Sequence, residues 1–353
     1  MDYKTFFNEL IDITLKEGAS DLHFTVDRHP TVRVAGALIP LVKYPKLKPE
    51  DTEGLIGVML RDENKKMLLE NKEVDFSFAH GDGLRFRVNA FYQRGFLGAA
   101  LRLISNIVKS FKDLRLPEIL TSFAMKEQGF FLVVGPIGHG KSTTLAAIID
   151  YINKTRAEHI MTIEDPVEYL FVQDKSTIDQ REVRFDTKTF ASALRAMLRE
   201  DVNVAMIGEM RDTETISAAV TAGETGHLVF ATLHTNNAAQ TIDRIIDSFP
   251  SDQQNQTRLQ LSNALLGVFS QRLIPRVSGG RVLAYELLIA TSAVKNLIRE
   301  NRTHELDIVI ETSSELGMIG LNKSLANLVR EGEITAENAY NYSLNPKALE
   351  GLL

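Results

Sequence analysis

There is no cysteine among the 353 residues, which excludes disulfides, thiolate zinc sites, iron–sulfur clusters and a cysteine nucleophile. Long apolar runs are missing as well. Stretches such as Phe130-Phe131-Leu132-Val133-Val134 fall far short of the ~20 residues a membrane-spanning helix needs. No basic segment followed by an apolar one opens the chain. Met1-Asp2-Tyr3-Lys4 leads instead into an acidic amphipathic stretch, which predicts no secretory signal and a cytoplasmic protein that meets a membrane only through a partner. Surplus positive charge is lacking too: the formal net charge is −6. Residues 1–112 carry 17 Lys and Arg against 15 Asp and Glu, and the remainder carries 23 against 31, so neither part resembles a polybasic nucleic-acid surface.

What is present fits an ordinary globular protein. With 44% apolar and 24% charged residues the chain is neither disordered nor fibrous, and its length supports about two domains, each with its own core. Residues 5–17 place Phe6, Leu10, Ile13 and Ile11 on a helical stripe, with Gly18 as a stop. From Asp21 to Val42 the apolar residues alternate around His29-Pro30 and Gly36, as short strands joined by turns do. Residues 50–72 are helical in pattern. Val74, Phe76 and Phe78 then alternate up to Gly81-Asp82-Gly83, and Phe86, Val88 and Ala90 alternate away from it, as in a hairpin. The first segment therefore reads as a small α+β domain over 1–112, with the linker inside 108–120.

Beyond residue 113 apolar runs of strand length (130–134, 160–163, 203–207, 228–233) alternate with helical segments (141–153, 187–199, 212–222, 237–247). That order predicts a mainly parallel α/β sheet covered by helices over 113–353. Residues from 251 on read as mostly helical, interrupted by a strand-like run at 282–289.

Gly135-Pro136-Ile137-Gly138-His139-Gly140-Lys141-Ser142 matches G-x-x-x-x-G-K-[ST] and sits between an apolar strand and the helical run that begins at Thr143. In such a loop the glycines let backbone N–H groups surround a β-phosphate and the helix N-terminus adds its dipole. Lys141 reaches the β/γ oxygens, and Ser142 offers its hydroxyl to magnesium. This predicts ATP and Mg2+ as ligands. His139 is unusual there; a solvent-facing position tolerant of size is the simpler reading than a phosphate contact.

Polar chemistry also clusters where other strands end. Glu164-Asp165-Pro166-Val167-Glu168 follows one strand, at the edge where open α/β sheets bind ligands. A carboxylate here would take a proton from an attacking water while a neighbour orients or holds magnesium; the alternative is a helix N-terminus enriched in acids. Glu209 ends Val204-Ala205-Met206-Ile207-Gly208 and is expected to contact the metal through water, or else to start the helix from Asp212. His227 and His234 bracket one more strand. Their spacing makes a poor metal site, and one of them is expected to sense a γ-phosphate or a subunit interface.

These segments resemble the type IV pilus retraction (twitching-motility, PilT) ATPases of the secretion-ATPase superfamily. Thr162–Glu168 is similar to the family's aspartate box, Ile207–Asp212 to its Walker B segment and Thr225–Asn236 to its histidine box. Gln180–Val183, Ala284–Leu288, and Ala293–Glu300, similar to an A-I-R-N-L-I-R-E stretch, extend the likeness. The resemblance implies a RecA-like P-loop ATPase domain preceded by a PAS-like domain, assembled as a homo-hexamer. It implies retraction of type IV pili through an inner-membrane platform protein, with the ring cytoplasmic and peripheral to that membrane. It further implies Glu164 as catalytic base, Glu209 as Walker B acid, residues Gly135 to Thr143 as the nucleotide cradle, and Arg87 and Arg102 as arginines reaching the γ-phosphate. Without it both arginines read as ordinary surface residues of a sheet. The chain departs from the family at Ile137, His139, Asn203 and Lys295 and across Glu305–Glu315. An extension or type II secretion ATPase is disfavoured by the absence of its four-cysteine zinc module. An accessory retraction ATPase, a RecA-like nucleic-acid motor and a nucleotide-gated scaffold that barely hydrolyses ATP are the remaining alternatives.

Overall fold

The computed structural model describes residues 2–34, 36–81, 84–104 and 107–353. They divide into two compact units, the first running to Ile107 and taking in Glu168–Leu170, the second comprising Val108–Val167 and Phe171–Leu353.

The first unit contains α1 (Tyr3–Lys16), β1 (Asp21–Phe24), β2 (Thr31–Val34), β3 (Ala37–Pro40), α2 (Pro49–Gly57), α3 (Asp62–Asn71), β4 (Glu73–His80), β5 (Leu84–Gln93) and β6 (Phe96–Ile104). Asp2 caps α1 by accepting from Lys4 N–H at 3.1 Å. The buried stripe is Phe6, Phe7, Leu10, Ile11 and Thr14, so it is rotated from the expected one: Ile13 is only half-buried. Thr14 can sit there because its hydroxyl donates to Leu10 O at 2.7 Å. The strands form an antiparallel sheet of order β3-β2-β1-β6-β5-β4. Val32, Leu22, Leu101 and Val88 are partners across β2, β1, β6 and β5, and all four are buried. Of the hairpin turn expected between β4 and β5, Asp82 and Gly83 lie outside the described residues; the two strands pair as expected, Phe76 opposite Val88.

The second unit runs α4 (Phe111–Leu114), α5 (Ile119–Ala124), β7 (Gly129–Val134), α6 (Lys141–Thr155), β8 (His159–Glu164), β9 (Thr177–Glu182), α7 (Phe190–Met197), β10 (Val204–Ile207), α8 (Thr213–Glu224), β11 (Leu228–Leu233), α9 (Ala238–Asp247), α10 (Gln254–Ala264), β12 (Leu265–Pro275) and β13 (Arg281–Ile289). The helices α11 (Ser292–Arg299), α12 (Leu306–Thr312), α13 (Leu321–Arg330), α14 (Ala336–Tyr342) and α15 (Pro346–Glu350) complete it. Its sheet has the order β13-β12-β7-β11-β10-β8-β9 and is parallel except for the β12–β13 pair, the mainly parallel α/β sheet that was expected.

Every residue of β7 is buried, and alternation divides them between two cores. Phe130, Leu132 and Val134 pack with Leu194, Ile207 and Ala231, whereas Phe131 and Val133 pack with Ile148, Ile152 and Phe230. The strand that carries the glycine-rich loop is thus held by packing on both of its faces. Residues 265–275, expected to be helical, are instead the 11-residue strand β12. It pairs parallel with β7 and antiparallel with β13, so it lies directly beside the loop.

Candidate functional site

Because β7, β8, β10 and β11 are parallel, the segments that follow them gather at one edge of the sheet, where open α/β sheets bind ligands. The loop 135–140 turns from β7 into α6. Gly135 has φ +144, and a Cβ there would lie 2.4 Å from the backbone oxygen of Gln271 in β12. Gly135→Ala is therefore expected to cost about 1–3 kcal/mol of stability and to weaken nucleotide binding, as thermal melting with and without nucleotide would show.

Lys141, at the start of α6, is buried. Its ammonium donates to Gly135 O at 2.9 Å, to Pro136 O at 3.1 Å and to His234 Nδ1 at 3.0 Å. An ammonium has protons and no lone pair, so His234 accepts at Nδ1 and carries its own proton on Nε2. That nitrogen faces Glu209 Oε1 at 3.1 Å, and Arg211 Nη2 donates to Glu209 Oε2 at 2.7 Å. A chain Lys141–His234–Glu209–Arg211 thus joins the segments after β7, β11 and β10. Burial, with the cations Lys141 and Arg211, holds the His234 imidazole below its ordinary pKa against the opposing pull of Glu209. Burial pushes the Glu209 carboxyl up, but Arg211, His234 and Lys141 outweigh it and the net shift is downward. The His234 bridge is accordingly present above pH ~6.5 and is lost as pH falls through the lowered imidazole value.

Glu164 ends β8 and is 5% exposed. Thr162 Oγ1 donates to its Oε1 at 2.7 Å and Gln180 Nε2, from β9, at 3.4 Å, so the carboxylate is aimed from its own strand and the neighbouring one. Gly208 N–H donates to Ile163 O at 2.8 Å, and a Cβ on Gly208 would meet Glu164 Cα at 3.4 Å. The turn carrying Glu209 therefore touches the strand end carrying Glu164. Asp165 pairs with Arg184 at 3.6 Å.

Other expected site residues lie elsewhere. His227 precedes β11 and its Nδ1 faces Ala222 O at 3.2 Å, so it occupies the opposite end of that strand from His234. Asn203 precedes β10, and its Oδ1 accepts from His159 N–H at 2.8 Å; it closes the sheet edge away from the loop. Ile137 is 82% exposed. The solvent-facing reading of His139 is corrected: the ring is half-buried, its Nδ1 accepting from Leu273 N–H at 2.9 Å. Ser142 and Thr143 open α6. In the first unit Arg87 is the register partner of Arg102, and Arg102 of Asp21, with Arg102 Nε donating to Asp21 Oδ1 at 2.9 Å. Arg33 stands opposite Asp21 on β2, so three arginines and one aspartate share a row on the face away from Leu22 and Val88.

Three residues of β12 and β13 have no role predicted from the sequence, although Glu286 lies in the family-like segment Ala284–Leu288. Gln271, 1% exposed, donates from Nε2 to His139 O at 2.6 Å. Arg272 Nη2 donates to Asn236 O at 3.0 Å, and Glu286 accepts from Ala238 N–H at 2.7 Å, so both hold the segment after β11. Burial pushes the Glu286 carboxyl up to about 7. Since that value lies above the unfolded one, the stability Glu286 contributes is complete below pH ~4.5 and is lost as pH rises through about 7. Glu286→Gln should therefore gain on the wild type between about pH 5 and about pH 8, by at most about 3 kcal/mol in denaturant titrations.

For magnesium, no group of three or more His, Asp or Glu side chains converges among the described residues to cage an ion. A hydroxyl at Ser142 and a carboxylate at Glu209 do fit a cation that keeps waters and takes its other ligands from phosphates.

A strand, glycine-rich turn and helix set in a parallel sheet, with acids on the neighbouring strand ends, define a P-loop α/β protein. The model of the "Type II/IV secretion system protein" family matches residues 3–339, and the chain belongs to that family, in the branch of the PilT retraction ATPases. It is 45% identical over 331 residues to the "Type IV pilus retractation ATPase PilT" of Pseudomonas aeruginosa, covering 94% of this chain and 96% of that one. To the "Type IV pilus ATPase PilU" of the same organism it is 42% identical over 336 residues, covering 94% and 87%. Among solved structures, the "Pilus Retraction Motor PilT and Bound ADP" superposes with a TM-score of 0.91 at 49% identity over 97% of this chain and 98% of that one.

Proposed function

We propose that this protein is a magnesium-dependent ATPase that works as a homo-hexameric motor for type IV pilus retraction. The observation that carries the reading is the convergence of Lys141, His234, Glu209 and Glu164 on one sheet edge, in a chain so similar to PilT. Gly135 to Thr143 cradle the phosphates, with Lys141 on the β/γ oxygens. Ser142 and, through water, Glu209 hold magnesium, which when bound neutralises charge on the transferred phosphoryl group. Glu164, aimed by Thr162 and Gln180, takes the proton of the attacking water. His234 keeps Lys141 and Glu209 in register and responds to the γ-phosphate. Arg87 and Arg102 supply cationic charge toward that phosphate, with Asp21 orienting Arg102. His227, on the far strand end, is left to a subunit interface.

In the same reading residues 1–112 form the PAS-like domain and 113–353 the RecA-like one. No helix among the described residues is long and apolar enough to cross a membrane. In this reading the ring acts on the bilayer through an inner-membrane platform protein. An accessory retraction role is the second reading, left open by the loop residues Ile137 and His139 that depart from the family. The test is retraction itself. A strain lacking the gene should extend pili that fail to retract, and the wild-type gene should restore retraction. Full retraction without the gene would leave only the accessory role.

A further inference from the structure

The phosphate loop is fastened to the sheet from outside as well as from within. Arg281 Nη1, from β13, donates to Gly138 O at 3.2 Å, and Gln271 Nε2, from β12, to His139 O at 2.6 Å. Across a trans peptide the N–H points opposite to the C=O, so the N–H groups of His139 and Gly140 face away from this hairpin. The third fastening is the His139 ring. Leu273 N–H donates to its Nδ1 at 2.9 Å, and the ring packs in a T-shaped arrangement with Tyr342 of α14, with centroids 6.2 Å apart and planes at 68°.

A backbone N–H can only donate, so this bond requires an Nδ1 that bears no proton; an imidazolium carries protons on both nitrogens and cannot accept it. The charged groups packed around the ring are all cations: Arg272 of β12, Arg281 of β13 and Lys141 of α6, with the neutral phenol of Tyr342 on α14. Burial and these cations hold the imidazole below its ordinary pKa. Tyr342 packs in turn on the apolar cluster that joins Ile274, Val282 and Ala284 of the hairpin to Leu325 and Ala339 of the C-terminal helices. One side chain therefore ties the loop both to β12 and to the C-terminal helical region.

We infer that His139 is a positioning residue of the phosphate loop: its unprotonated ring latches the loop to Leu273 and Tyr342, and protonation opens the latch and weakens nucleotide binding. The inference rests on the loop being the ATP site, and the experiment keeps the two claims apart.

The experiment is equilibrium binding of a fluorescent ADP analogue to the full chain at about pH 8 and about pH 5.5, a span that crosses imidazole titration. Wild type is compared with His139→Ala, His139→Asn and Lys141→Ala. At the higher pH, His139→Ala should bind about three- to tenfold more weakly, the worth of one hydrogen bond. His139→Asn, whose Oδ1 stands where Nδ1 stood, should recover most of that loss. On acidification the wild type should lose at least about threefold more affinity than His139→Asn. His234 and the ligand phosphates titrate in both proteins, so only the latch separates them. Parallel pH profiles for wild type and His139→Asn, or wild-type affinity in His139→Ala, overturn the latch. Should His139→Ala fail to fold, the contrast between wild type and His139→Asn decides alone. Wild-type affinity in Lys141→Ala would instead sink the site itself.

Discussion

Glu164→Gln is expected to bind ATP as tightly as the wild type and to release phosphate about 10²- to 10⁴-fold more slowly, the usual worth of a positioned general base. Glutamine keeps the shape and an acceptor for Thr162 Oγ1, which donates to Glu164 Oε1 at 2.7 Å, so the strand end should stay in place. What is lost is the basic oxygen. Equilibrium nucleotide binding and steady-state phosphate release on the same preparation separate the two effects. Equal turnover would mean that the proton goes elsewhere, with Asp165 and Glu168 of the same segment as the next candidates.

Lys141→Ala should act on binding instead. Charge-assisted bonds to phosphate oxygens are worth about 1.5–3 kcal/mol, so ATP affinity should fall about 10- to 100-fold. The same change strips Gly135 O, Pro136 O and His234 Nδ1 of their shared donor. The loop and the histidine segment should therefore loosen together. Isothermal titration with ADP and ATP measures the affinity. Unchanged affinity would require the phosphates to be held without this ammonium.

The parts of this site that were legible in the sequence are those fixed by short-range pattern. A fully buried parallel strand reads as an apolar run, so β7, β8, β10 and β11 were visible, and with them the edge that carries Lys141, Glu164, Glu209 and His234. Because they bracket β11, whose six residues lie between them, His227 and His234 fall at opposite ends of the strand, and only His234 reaches the edge that carries Lys141. Asn203 likewise precedes its strand and falls on the far edge.

What stayed hidden depends on long-range packing. β12 continues from α10 without a Gly or Pro break at the join, and its burial on both sides removes the alternation that marks a half-buried strand. β9, Thr177–Glu182, is polar at most positions and is held by pairing to β8. Once β12 was read as helix, Gln271, Arg272 and Leu273 had no place beside the loop, and His139 had no partner. The raised carboxyl of Glu286 is equally invisible locally, because it comes from burial in the folded core, where the side chain meets Ala238 at the start of α9, 48 residues away in sequence.

The central claim is ATP hydrolysis by this chain at this sheet edge, and magnesium-dependent phosphate release by the purified protein tests it most directly. Wild type and Glu164→Gln would be assayed side by side, with and without single-stranded DNA. The account predicts turnover that requires magnesium, ignores DNA and nearly vanishes in the variant. Turnover that appears only with DNA would point to a nucleic-acid motor, and turnover undiminished in Glu164→Gln would contradict the assignment of the chemistry.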